Sequence, residues 1–111
     1  MQADLDQTLA ALADPVRRAL VDRLRRGPAR SGELAAALGL PRPTVSKHLA
    51  VLRRAGVVEE RVLVDDARGR SIALRPQPFA AVRSWLTEVE AFWTDELAAF
   101  KRHAERSRSP K

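Results

Sequence analysis

Apolar residues recur along the chain at two different spacings, and the change between them divides it. Up to Gly56 they fall three and four apart, the period of one helix face. Leu5, Leu9 and Leu12 share a face of a first helix, with Asp4 as its expected cap. Asp14-Pro15 has the cap-then-proline order of a helix start, and Val16, Leu20, Val21 and Leu24 form the inward face of a second helix that Gly27-Pro28 stops. Ser31 is the expected cap of a short third helix, with Glu33 in its first turn, Leu34, Ala37 and Leu38 facing inward and Gly39 at its end. Two prolines, Pro41 and Pro43, then open a fourth helix over about residues 42–55. Val45, Leu49 and Leu52 are its buried stripe, and Lys47 and Arg54 point almost directly away from it with Ala50 between them.

After Gly56 the period falls to two. Residues 57–64 read as a strand, 65–70 carry turn chemistry, and 71–74 read as the return strand. Arg75-Pro76-Gln77-Pro78 breaks the chain ahead of a last helix, expected over about residues 79–105. The pattern predicts a mainly α fold with a small β-hairpin, in the order α-α-α-α-β-β-α. The third helix, the turn around Gly39-Leu40-Pro41-Arg42 and the fourth helix make a helix-turn-helix, and a hairpin placed directly after it is a wing. Residues 1–105 are expected to form one winged helix-turn-helix domain, and 106–111 a disordered tail.

The last helix is long for so small a domain. Val82, Leu86, Val89, Trp93, Leu97 and Phe100 alternate spacings of three and four along it, with Trp85 and Phe92 beside them. A chain of 111 residues has too few other elements to cover two Trp and two Phe on one helix. The stripe is therefore read as a homodimer interface formed with Leu5, Leu9 and Leu12 of the first helix; packing on its own core alone is the competing reading.

Charge adds a partner. The net charge is +6 and unevenly spread: residues 14–30, 40–56 and 101–111 each carry a net +4, whereas 75–100 carry −2. The 40–56 block holds Arg42, Lys47, Arg53 and Arg54 without any acid. A helix that buries an apolar stripe and shows cations around a small residue suits a nucleic-acid surface, against the plainer reading of a solvated charged face. The hairpin tip adds Arg68 and Arg70 but also Asp65 and Asp66, so its part in phosphate binding stays open. The absence of Cys fits a cytoplasmic protein without disulfides or a thiolate metal site. No apolar run approaches the ~20 residues of a membrane span. No Gly-rich phosphate loop appears, and neither His has a nucleophile and a carboxylate at a catalytic spacing, so no enzyme and no cofactor are expected.

The runs DPVRRALVDRL, ELAAALGLPRPTVSKHLAVLRRAGVV and RPQPFAAVRSWLTEVEAFW, in that order around a Gly-Arg hairpin, resemble the ArsR/SmtB-type winged helix-turn-helix repressors of bacteria over roughly residues 5–105. The resemblance implies a homodimer that inserts each fourth helix into a major groove of an inverted-repeat operator, lays its wings along the backbone and represses its own operon. It also implies that Pro43, Thr44, Ser46, Lys47 and His48 occupy the groove-reading motif. Arg42 stands where the family often has Gln and takes either a guanine edge or a phosphate. His48 lies at the flank of the apolar face, where a packed structural role competes with base contact. Pro41 replaces the usual Ser or Thr cap and leaves the helix start without a side-chain cap.

The sensing motifs depart from the family. The third helix reads SGELAAALG, without the thiols of the metal sensors, and the last helix has only His103 with Glu105 near it. No metal site is expected. The tryptophan-rich last helix is similar to that of a metal-free, autorepressor-like subgroup, in which a small-molecule effector is unknown. The competing functions are a winged helix used for protein–protein contact and a non-specific DNA binder; steep salt dependence separates DNA binding from the first, and duplex competition from the second.

Overall fold

Five helices and one hairpin follow one another in the computed structural model, which describes residues 2–62 and 69–108. In order they are α1 (Gln2–Leu12), α2 (Pro15–Leu24), α3 (Ser31–Leu38), α4 (Arg42–Arg54), β1 (Val58–Val62), β2 (Arg70–Leu74) and α5 (Pro76–Arg108). This is the expected winged helix-turn-helix order, and the helix faces follow the sequence pattern closely. Leu20, Val21 and Leu24 of α2 and Val45, Leu49 and Leu52 of α4 are buried together with Leu34, Val57, Val58 and Ile72 in one core.

The element ends show where local chemistry differs from the sequence pattern. Asp14 caps α2 as expected: its Oδ1 accepts from the Val16 and Arg17 amides at 2.8 and 3.1 Å. Asp4, by contrast, lies inside the first turn of α1, because the helix begins at Gln2. Its charge then sits near the positive end of the helix dipole instead of capping it. Ser31 is likewise the first residue of α3, and Arg30, extended at φ −83 and ψ 155, is the cap residue. The reason is Glu33, whose Oε1 accepts from the Arg30 amide at 2.8 Å and fixes the start one residue earlier. Along α3, Leu34 and Ala35 are buried while Ala37 is exposed, so the inward face is turned toward Ala35. Gly39 ends that helix in the left-handed region at φ 65, where its lack of a Cβ removes the steric cost.

The hairpin is antiparallel, in a register that sets Val58 opposite Leu74 and Val62 opposite Arg70. Arg70 therefore lies within β2, not in the turn. The rest of the expected first strand and the tip, with Asp65, Asp66 and Arg68, lie outside the described residues. A short bridge adds the segment before α3 to the open side of β2: Ala29 and Ile72 exchange both backbone hydrogen bonds, at 3.0 and 2.7 Å. The wing is thus tied to the helix-turn-helix by backbone, which no local pattern predicts.

Helix α5 starts at Pro76, three residues earlier than expected, because proline is already shaped for a first helical turn and lacks the amide that would go unpaired. It continues through Arg108, so residues 106–108, expected in the tail, are helical; 109–111 lie outside the described residues. Its 33 residues span about 50 Å, which accounts for a longest dimension of 79 Å against 29 and 24 Å. Phe79 packs against the domain core and α1 lies against the helix. Farther along, Phe92, Trp93, Leu97 and Phe100 stand 57–72% exposed.

Candidate nucleic-acid interface

Pro41 stands at the cap position of α4 with extended backbone (φ −62, ψ 144) but makes no side-chain hydrogen bond to it. The amides of this first turn are left for an outside acceptor, as Pro41 in place of Ser or Thr implies. Arg42, Pro43, Ser46 and Lys47 are exposed here, and Thr44 is half-buried. Arg42 is folded back across the start of α3: a Cβ on Gly32 would lie 3.6 Å from its Cζ. That is an ordinary van der Waals separation, so the guanidinium packs against Gly32 and would also fit against an alanine.

His48 is held from behind. Its Nδ1 lies 3.3 Å from Arg17 Nη1 and 4.0 Å from Asp14 Oδ1. The arginine N–H can only donate, so when the ring is neutral Nδ1 accepts from it and the ring proton lies on Nε2. Arg17 also donates from Nε to the Ala11 carbonyl at 2.6 Å and from Nη2 to the Ala10 carbonyl at 3.3 Å. Arg18 Nη1 donates to the Leu12 and Ala13 carbonyls, both at 2.9 Å. Two arginines at the start of α2 therefore satisfy the open carbonyls that end α1. The Arg17 amide, with that of Val16 and the nearby Arg17 and His48 side chains, holds the Asp14 carboxyl below its ordinary value, against a smaller opposing effect of desolvation. Sequence reading missed this arrangement, because its partners come from three helices and share no local spacing.

At the other end of α4 the cations fall into two groups. Arg53 Nη1 donates to Glu60 Oε1 at 2.9 Å, and Arg70 Nη1 lies 3.7 Å from Glu60 Oε2. One exposed carboxylate thus links the last turn of α4 to β2. Glu59 pairs in turn with Arg61 of its own strand and with Arg75 just after β2, at 3.1 and 3.6 Å. Lys47 and Arg54 are exposed and have no hydrogen-bond or ion-pair partner among the described residues. The alternation of Glu59-Glu60 with Arg53, Arg61 and Arg70 was the available signal for this network. Its geometry depended on how β1 leaves α4.

The apolar positions assigned to an interface are unevenly covered. Leu5, Leu9, Leu12, Val82 and Val89 are half-buried, with Leu12 packed against the core of its own chain. Trp85 and Leu86 are 40% and 47% exposed, and Phe92, Trp93, Leu97 and Phe100 more so. Phe92 and Trp93 meet edge to face, their ring centroids 6.2 Å apart.

Residues 12–61 match the model of a helix-turn-helix domain. The HTH-type transcriptional regulator Rv2034 of Mycobacterium tuberculosis is 42% identical over 95 residues, 86% of this chain and 83% of that protein. The HTH-type transcriptional repressor SmtB of the same species is 50% identical over 52 residues, 47% of this chain and 38% of that protein. A crystal structure of an ArsR family transcriptional regulator superposes with a TM-score of 0.73 at 36% identity, covering 85% of this chain and 94% of that one.

Proposed function

Because the chain belongs to the ArsR family of DNA-binding helix-turn-helix transcriptional regulators, we propose that it acts as a homodimeric repressor, its own gene among its targets, and reads an inverted-repeat operator with α4. The family is one of regulators and not of enzymes. One observation carries the reading: α4 buries Val45, Leu49 and Leu52 and turns toward solvent a face with an uncapped first turn, Lys47, Arg54 and no acid. Such a face neutralises phosphates and presents donors to base edges.

Each residue takes a part in that reading. Lys47 and Ser46 enter the groove, and the open amides around Arg42 and Thr44 receive a phosphate. Pro43 sets the angle of entry. His48, with Nδ1 engaged by Arg17, offers Nε2–H as a single donor. Arg42 swings from Gly32 to a guanine edge or a phosphate. Arg53 and Arg70 hold the backbone on either side of Glu60, with Arg54 beside them and Arg68 at the wing tip.

The dimer rests on α5. Trp85, Leu86, Phe92, Trp93, Leu97 and Phe100 form an exposed apolar stripe too large for a lone chain, and a second copy pairs it with an equal stripe. Val82 and Val89 continue that stripe, and Leu5, Leu9 and Leu12 flank it from α1. A two-fold dimer sets its α4 helices one DNA turn apart, about 34 Å, and so requires an inverted repeat. Operator binding in the cytoplasm then blocks transcription. No helix among the described residues is long and apolar enough to cross a membrane.

The test is fluorescence anisotropy on the duplex upstream of the protein's own gene and on a scrambled duplex, at two salt concentrations. Selective binding that weakens steeply with salt is expected. Equal binding to both duplexes would replace the operator-specific reading with a non-specific one, and salt-insensitive behaviour would remove DNA as the partner.

A further inference from the structure

A cavity of about 240 Å³ lies between α1 and the C-terminal half of α4. Ala10 and Ala11 of α1 and Val51 and Ala55 at the end of α4 wall it, Arg17 and Arg54 line it, and no carboxylate does. An adjoining cavity of about 360 Å³ shares Arg54 and Ala55, but Asp4 lines it as well. The acid-free first cavity therefore suits an anion better than the second, which Asp4 lines together with Arg54 and Arg75.

Both arginines have capacity to spare. A guanidinium carries five N–H donors, and Arg17 directs three of them to Ala10, Ala11 and His48. Arg54 has no partner among the described residues. The proposed dimer also leaves the cavity open. At about 100° per residue, Gln7, Ala10 and Ala11 centre on the face of α1 opposite Leu5, Leu9 and Leu12, about 180° away.

We propose that this cavity binds a small amphiphilic carboxylate and that its occupation weakens DNA binding. The hydrocarbon end lies against the four apolar side chains, and the carboxylate sits on Arg54 with Arg17 behind it. The second half rests on α4 being the DNA-reading helix, since an acid bound to Arg54 neutralises one cation of that surface.

Butanoate, hexanoate and octanoate are the probes, titrated calorimetrically into the full chain without DNA. Affinity is expected to rise about threefold per added CH₂ until the cavity is full. Hexylamine and hexanol are expected to bind at least about tenfold more weakly than hexanoate. Arg54→Gln is expected to lose about tenfold in hexanoate affinity. Ala10→Leu, at an exposed position where leucine is helix-compatible, fills the space and is expected to abolish binding while keeping native helicity by circular dichroism and native DNA affinity.

No binding of any acid, equal binding of the amine, or full affinity in Ala10→Leu overturns the site. Hexanoate is further expected to lower DNA affinity in the native chain and not in Ala10→Leu; binding without that effect overturns the regulatory half. A chain that binds hexanoate in this pattern but binds no DNA refutes the reading of α4 and leaves the cavity assignment standing.

Discussion

Arg17 and His48 are 31 residues apart in sequence and 3.3 Å apart in the fold. The same guanidinium holds the Ala10 and Ala11 carbonyls, so one side chain fastens the end of α1 to the middle of α4. In the proposed dimer this joins an interface helix to the reading helix. Arg17→Gln is expected to lower unfolding stability by about 0.5–1.5 kcal/mol, because the part-buried hydrogen bond to the Ala11 carbonyl and the exposed one to the Ala10 carbonyl lose a charged donor. A double-mutant cycle with His48→Ala measured by urea unfolding checks the link: a coupling of about 0.5 kcal/mol or more is expected, and strict additivity would show that the contact carries no energy.

Asp14 gives this corner a pH dependence. Its carboxyl titrates below its ordinary value because the charged form accepts the Arg17 and Val16 amides. The unfolded chain therefore binds its proton first as pH falls. The stability that Asp14 contributes is complete above the ordinary carboxylate value of about 3.9 and is lost as pH drops through the lower folded value. Asp14→Asn keeps a capping oxygen and removes the charge. Urea midpoints from pH 6 downward, taken as about that range, are expected to fall less steeply in this variant than in the native chain.

Glu60 restrains two of the proposed phosphate-binding cations. Glu60→Gln is expected to free Arg53 and Arg70, to tighten binding to a scrambled duplex and to steepen log Kd against log salt by up to about two. Discrimination between operator and scrambled duplex should fall in proportion. Unchanged salt dependence in an anisotropy titration would mean that neither arginine reaches DNA.

Lys47 is exposed and unpartnered among the described residues, so its removal leaves the core untouched. Lys47→Ala is expected to weaken operator binding by about 1–3 kcal/mol if it reads a base, or to reduce the salt slope by about one if it holds a phosphate. Light scattering should report the same dimer mass. Native DNA affinity in this variant would place the groove-reading surface elsewhere.

Trp93 is 57% exposed in the single chain, in edge contact with Phe92. Trp93→Asp places a charge in the middle of the apolar stripe, where a dimer would bury it without a partner. Monomers that bind a half-site poorly are expected by light scattering and anisotropy. A stable dimer would remove this part of α5 from the interface.

Hydrophobic periodicity, with its proline, glycine and turn punctuation, predicted the number, type and order of the elements; it picked the buried stripe of α4 to the residue and that of α2 except for Val16, which is half-buried. The reason is local: a helix facing one core must place apolar side chains three and four apart, and a strand must place them two apart. The uncapped start of α4 was legible for the same reason, since Pro41 has no side chain able to cap. The exact starts of α1, α3 and α5 were not, because Asp4, Ser31 and Pro76 each suit more than one position in a first turn, and neighbours such as Glu33 decide between them.

Only the tertiary structure decided how the charged residues are shared. Sequence counts Arg17, Arg42, Arg53, Arg54 and Arg70 alike. The fold engages Arg17 with α1 and His48, lays Arg42 over Gly32, sets Arg53 and Arg70 around Glu60, and leaves Arg54 beside an acid-free cavity. Long, flexible cationic side chains carry no period of their own. Their partners are set by the angles at which α1, α4 and the hairpin meet, and those angles exist only once the core has formed.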